Sequence, residues 1–152
     1  MSVIKLKNAP CICGYAAVVG RREYEGPLRD DFDMHDAKEK FGMDTWEKAE
    51  SEMQRLALNL ALAKANMRGN DLDAIFAGDL MNQCVGSSYA AECFKRPFFG
   101  LYGACSTFAE GNILAALLTD SGSFSRCGVI ASSHFCTAER QFRYPLEYGG
   151  QR

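Results

Sequence analysis

The sequence has no pair of cysteines spaced CxxC, only two histidines, a single tryptophan and four prolines. It also lacks a long apolar run and an excess of charge of either sign. Each shortage excludes something. Without CxxC pairs there is no zinc ribbon or thioredoxin-type redox signature. A net charge of −2 gives no electrostatic case for nucleic acid or for an anionic membrane surface. The apolar stretch from Leu56 to Ala63 is interrupted by Asn59 and flanked by Arg55 and Lys64, far short of the roughly 20 residues that span a bilayer. The start, MSVIKLKNAP, has no apolar core of a secretory signal. On this reading any membrane association is brought about by a partner.

What is present is a chain of 152 residues, 47% hydrophobic and 24% charged, long enough to bury one core. Its seven cysteines are odd in number and follow no secretory signal, which favours free thiols in a reducing compartment. Cys11 and Cys13 would share one face of a strand, but no further ligands lie close in sequence, so no metal site is assigned.

Cys11 to Val19 is short, apolar and partly β-branched, and reads as a buried strand. Gly26 to Met43 reads as a long excursion loop, and His35 within it as a solvated side chain. A helix is predicted from Thr45 to Met67, capped by Asp44 with Glu47 completing a capping box and stopped by Gly69. Its apolar stripe is Trp46, Ala49, Met53, Leu56, Ala57 and Leu60. Strands are predicted over Leu72 to Leu80, Pro97 to Gly103 and Cys127 to Ser132. Helices are predicted over Ser88 to Phe94 and Phe108 to Leu118, the latter with Thr107 and Glu110 as a second capping box. Thr137 to Arg152 is assigned no regular structure.

The resulting order, β-α-β-α-β-α-β, predicts an α/β fold with a mainly parallel sheet and helices on both faces. Such sheets bind ligands at the carboxyl ends of their strands. Asp79, Gly103 to Ser106, and Ser132 to His134 all fall there. The segment YGACSTFAEG turns from strand to helix at Cys105. Amides at a helix N-terminus favour a thiolate and also bind oxyanions or carboxylates. Cys105 therefore reads as a nucleophile, as a binding residue, or as a small buried residue where bulk would clash. A nucleophile needs a base, and only His35 and His134 exist. His134 is equally readable as a satisfied structural group at a strand end. The sequence assembles no complete catalytic set.

The elbow at Cys105 within an alternating β/α chain resembles the thiolase-like fold of thiolases and ketoacyl synthases. More closely, GPLRDDFD (Gly26 to Asp33), TWEKAESEM (Thr45 to Met53), AGDLMNQ (Ala77 to Gln83), YGACST (Tyr102 to Thr107) and SSHFCTAERQFRYPLEYGGQ (Ser132 to Gln151) resemble the stage V sporulation AD family of spore-forming Firmicutes. That resemblance implies a binder of dipicolinic acid. It would act with the other SpoVA proteins, some of them membrane-embedded, to move dipicolinate into the spore during sporulation and out at germination. It also implies a peripheral location at the inner spore membrane, and a homodimer paired through Pro97 to Gly103. The chain corresponds to roughly the first half of such a protein, one half-domain over residues 1–152, with the last strand of that half and the second half absent.

By the resemblance the pocket includes Asp79 and Cys105. Dipicolinate is a flat ring with two carboxylates, so a site for it needs donors at both ends and an apolar wall. The helix start after Cys105, at Ser106, would hold one carboxylate. Arg140 or Arg143 would fork onto the other, unless they pair with Glu139 and Glu147 in a solvated loop. The candidate ligand-binding set is thus Asp79, Cys105, Ser106, His134 and Arg140. Asp79 should repel a dianion, so it reads as protonated, as bound to calcium that accompanies dipicolinate, or as a structural holder of N–H groups. No other cofactor is implied. The alternatives are a thiolase or ketoacyl-synthase type acyltransferase that uses Cys105, and an assembly subunit of a membrane channel complex.

Overall fold

A computed structural model describes residues 3–81 and 84–138. In chain order the elements are β1 (Val18–Gly20), α1 (Arg21–Tyr24), β2 (Met34–Asp36), α2 (Trp46–Lys64), β3 (Ala74–Gly78), α3 (Val85–Glu92), β4 (Phe98–Gly100), α4 (Thr107–Asp120) and β5 (Cys127–Ala131). The three later strands form a parallel sheet in the order β4-β3-β5. This is the α/β arrangement the alternation predicted, with helices on both faces.

The central strand explains the layering. Its successive side chains point to opposite faces. Ile75 and Ala77 join Ile130 of β5 in an apolar cluster with Leu58 and Leu62 of α2. Ala74 and Phe76 face the other way, into a cluster with Leu101 that Leu114, Ala115 and Leu118 of α4 and Val129 of β5 complete. All five residues of β3 are buried. A strand covered on both faces reads as a continuous apolar run, as AIFAG does.

The first predicted strand is corrected. Only Val18–Gly20 is extended in a ladder, and its partner is β2, in a separate two-stranded parallel sheet. Cys11 to Ala17 is not buried: Ile12 is 79% and Tyr15 77% exposed. This segment lies along α2, where a Cβ on Gly14 would meet the Ala61 carbonyl oxygen at 2.3 Å. A groove of about 310 Å³ separates it from β5 and α4. Hydrophobicity made the segment read as core, but no ladder joins it to the main sheet.

The predicted excursion loop is also corrected, because it contains β2 and a single 3-10 turn at Arg29–Asp31. The Asp33 carboxylate accepts the Ala17 amide at 2.9 Å, which sets the register beside β1. His35 is exposed, but its ring stacks on Tyr24 at 3.3 Å between centroids.

Both ends of α2 differ from expectation. Thr45, not Asp44, is the N-cap, and its hydroxyl accepts the Lys48 amide at 3.3 Å. Asp44 pairs instead with the Lys48 ammonium at 3.0 Å. The helix stops at Lys64 rather than Met67 because Asn66 takes a left-handed φ of 54°. The Met67 amide then bonds the Leu62 carbonyl at 2.8 Å and the Asn66 amide the Ala63 carbonyl at 3.0 Å, the double bond pattern of a Schellman stop. The buried line of α2 contains Glu50, Gln54, Leu58 and Leu62, four residues apart, alongside Ala49. Leu56 and Leu60 of the predicted stripe are only half-buried.

Helix α3 begins three residues before its predicted start. The predicted cap of α4 does not form either: Ser106 is the N-cap position and makes no side-chain cap bond. A 3-10 turn at Ala104–Ser106 runs straight into α4 and turns the Ser106 hydroxyl back to the Gly103 carbonyl, 2.8 Å away. Residues 135–138 are helical, which corrects the start of the segment from Thr137, assigned no regular structure from sequence.

Candidate functional site

The carboxyl ends of β3, β4 and β5 converge because glycine permits it. A Cβ on Gly78 would meet the Leu101 carbonyl oxygen at 2.3 Å and Thr107 Cγ2 at 2.8 Å. With hydrogen there instead, the end of β3 lies against the end of β4 and the first residue of α4. Asp79 follows at once.

Asp79 is buried and fully engaged. Its Oδ1 accepts the Met81 amide at 2.8 Å, and its Oδ2 accepts the Ser87 amide at 2.7 Å and the Ser87 hydroxyl at 2.6 Å. These bonds hold the chain leaving β3 and satisfy an amide in the first turn of α3. The arrangement matches the structural holder among the three readings of Asp79, because both oxygens already have donors. Cys84 sits beside it with a left-handed φ of 52°, its thiol donating to the Leu101 carbonyl at 3.2 Å. Burial pushes that thiol up, and the Asp79 charge adds to the shift.

Cys105 lies in the 3-10 turn that opens α4 and is exposed. The residue before it, Ala104, has φ of 48°. That left-handed conformation costs an L-residue about 1–2 kcal/mol, so the corner is strained at the position next to the thiol. Thr107, two residues on, is 1% exposed, and its hydroxyl oxygen has no hydrogen-bond partner. The helix N-terminus thus carries no side-chain cap, an exposed thiol and an unpaired buried hydroxyl, while its Ser106 and Thr107 amides bond the Gly103 and Ala104 carbonyls of the 3-10 turn.

At the end of β5, His134 is buried between backbone groups. Its Nε2 lies 2.8 Å from the Glu39 carbonyl, and its Nδ1 accepts the Cys136 amide at 3.2 Å. A carbonyl can only accept, so Nε2 carries the proton and the ring is neutral. The ring also packs on Trp46 at 5.2 Å. His134 ties the turn after β5 to the start of α2, and neither nitrogen is left for a thiol.

A group that sequence reasoning missed joins these strand ends. Gln54 is 1% exposed, and its amide nitrogen donates to Ser87 Oγ at 3.0 Å and to Ser132 Oγ at 2.7 Å. Each serine, having accepted, turns its own proton outward: Ser87 to Asp79, and Ser132 to Glu50 Oε1 at 2.7 Å. The signal for it was the line of α2 positions four apart whose first half, Glu50 and Gln54, is polar while its second half is leucine. Of the candidate set, Asp79, Ser106, Cys105 and His134 lie at the strand ends or the helix start, and Arg140 lies outside the described residues.

The family model for stage V sporulation protein AD matches residues 1–152. Stage V sporulation protein AD of Bacillus subtilis (strain 168) is 44% identical over 133 residues, which are 88% of this chain and 39% of that relative. The chain therefore spans well under half the length of the curated relative it matches. Among solved structures, 3-oxoacyl-[acyl-carrier-protein] synthase III from Aquifex aeolicus VF5 is similar over 60% of this chain and 30% of that one, with a TM-score of 0.48 and 23% identity.

Proposed function

Because the chain belongs to the stage V sporulation protein AD family, we propose that it binds dipicolinic acid for uptake into the spore during sporulation and release at germination. The family's name assigns its members to sporulation. The observation that carries the finer reading is the start of α4, where no side chain caps the helix and the unpaired buried hydroxyl of Thr107 stands beside exposed Cys105. Helix N-termini hold carboxylates, and dipicolinate has two. Exposed Tyr102 and Phe108 flank the corner and supply apolar surface for a ring. Asp79 supports this site from below by ordering the chain between β3 and α3.

A binder is favoured over an acyltransferase by His134, whose ring nitrogens are both engaged by backbone groups. Among the described residues, His134 is thus not free to take the Cys105 proton. The proposal extends to partners. The other SpoVA proteins would hold the complex at the inner spore membrane; no helix among the described residues is long and apolar enough to cross one. A second copy would pair along β4, an edge strand with Phe99 exposed. Sedimentation that gives a monomer at high concentration overturns the pairing.

The test of the main reading is calorimetric titration of the chain with dipicolinate, with and without calcium, alongside Cys105→Ala. Saturable heat that is weakened in Cys105→Ala supports the site at α4. Rapid alkylation of Cys105 and capture of an acyl thioester, without dipicolinate binding, would instead support the acyltransferase.

A further inference from the structure

Two buried oxygens on adjacent turns of α2 lack partners: Glu50 Oε2 and Gln54 Oε1. Both side chains are almost wholly enclosed, at 0% and 1% exposure. Residues four apart on a helix are neighbours. Here both heads also bond the same atom, Ser132 Oγ, each at 2.7 Å. The amide oxygen can only accept, and so can an ionised carboxylate. The Thr137 hydroxyl and the His134 amide lie near Glu50 but make no well-formed hydrogen bond to its Oε2, and Gln54 Oε1 has none either; an enclosed acceptor so left carries the cost of an unmade bond, about 1–3 kcal/mol. A single proton removes both deficits.

We propose that Glu50 holds a proton, donates it from Oε2 to Gln54 Oε1, and so closes a hydrogen-bonded ring with Ser132 that fixes the end of β5 against α2. The ring then runs in one direction. Glu50 Oε2–H donates to Gln54 Oε1, Gln54 Nε2–H to Ser132 Oγ, and the Ser132 hydroxyl to Glu50 Oε1. The second amide proton of Gln54 goes to Ser87, which donates to Asp79. Two acidic residues are thereby given different forms: Asp79 is surrounded by donors, and Glu50 is itself a donor. The ring is a proton-binding site, loaded from solvent, that lies behind the ligand site and does not depend on the identity of the ligand.

The surroundings agree. Burial pushes the Glu50 carboxyl above its ordinary value; the bond from Ser132 pulls the other way, and the nearby Asp79 charge raises it further. The Thr137 hydroxyl and the His134 amide favour the charged form, and the net direction remains upward. The elements packed on α2 are α3, β5 and β1. From the end of β5 comes His134, neutral with both nitrogens bonded. The chain leading into α3 brings Asp79, an anion; α3 itself faces the site with Ser87, while its Tyr89 and Glu92 are exposed. β1, Val18–Gly20, has no ionisable side chain. No cation among these groups stabilises a Glu50 carboxylate.

The experiment is carbon NMR of the chain labelled at its glutamate carboxyls, titrated with pH. The Glu50 signal is identified by its loss in Glu50→Gln. Glu50 should stand at the neutral-acid position at neutral pH, when the other glutamates have moved to the carboxylate position. Glu50→Gln should fold as well as the parent, within about threefold in the folding equilibrium constant, because its amide can donate to Gln54 Oε1 as the acid does. Stability from the bound proton is complete below the ordinary glutamate value and is lost as pH rises through the raised folded value. Glu50→Gln should make the alkaline loss smaller than in the parent, leaving the part that the raised Cys84 and Cys127 thiols contribute. A Glu50 carboxyl already ionised at neutral pH overturns the proposal. So does a Glu50→Gln chain that is unfolded or whose alkaline loss equals the parent's.

Discussion

Ser87 donates twice to one oxygen of Asp79, from its amide at 2.7 Å and from its hydroxyl at 2.6 Å. A side chain two residues past Ala77 of the central strand thus directs the first turn of α3. Asp79→Asn replaces an acceptor-only group by one that must turn its NH2 toward either Met81 or Ser87. We expect a loss of about 2–3 kcal/mol in chemical denaturation, with slower recovery of the α3 fold measured by amide exchange at Ser87. Unchanged stability would show that the three bonds are not what orders this turn.

Gly78 is where the three strand ends approach, with the Leu101 carbonyl 2.3 Å from the site of any Cβ. That contact is backbone, and it cannot rotate away. Gly78→Ala should cost about 3 kcal/mol through overpacking, and it should weaken dipicolinate binding by displacing Thr107. A folded Gly78→Ala chain with parental melting would contradict the close approach.

Ala104 precedes Cys105 with φ of 48°. Glycine meets no Cβ penalty there, although it is more flexible when unfolded. Ala104→Gly is expected to raise stability by about 0.5–1 kcal/mol, the strain relieved less that entropy. A denaturant midpoint that moves downward would place the strain elsewhere.

On the acid side, Asp73 is the group to follow. Its Oδ2 accepts the amides of Ser125 at 2.6 Å and Arg126 at 2.9 Å, joining the turn before β5 to the residue before β3. These bonds, Arg126 first, hold its carboxyl below the ordinary aspartate value. The stability they add is present above that ordinary value and is lost as pH falls through the lower folded one. Asp73→Asn should flatten part of the acid limb of a stability–pH curve and leave the alkaline limb alone. An unchanged acid limb would remove Asp73 from the account.

The parallel sheet was legible because its central strand β3 is buried on both faces, and such a strand appears in sequence as a short apolar run between turn-formers. Cys11 to Val19 has the same appearance but is largely exposed, since hydrophobicity records a tendency to be covered and not what does the covering. Capping was half-legible. Thr45 and Asp44 are both good cap residues, and only the backbone angle at Thr45 selects between them. Asp79 and Cys105 were visible as strand-end and elbow residues. Glu50 and Gln54 were not, because polar residues on a mostly apolar helix read as its solvent face, and their partners Ser87 and Ser132 lie 33 and 78 residues from Gln54 in sequence.

The single strand β3 supplies side chains to the apolar clusters on both faces of the sheet, Ile75 and Ala77 to one and Ala74 and Phe76 to the other. Neither layer can be peeled away without exposing the strand the other depends on. The amides of β3 should therefore exchange with solvent deuterium only when the whole domain opens, whereas the short β1–β2 pair, with no buried residue in either strand, frays on its own. Among the described residues, the three-stranded sheet with its helices should therefore open as one cooperative unit and the β1–β2 pair separately from it.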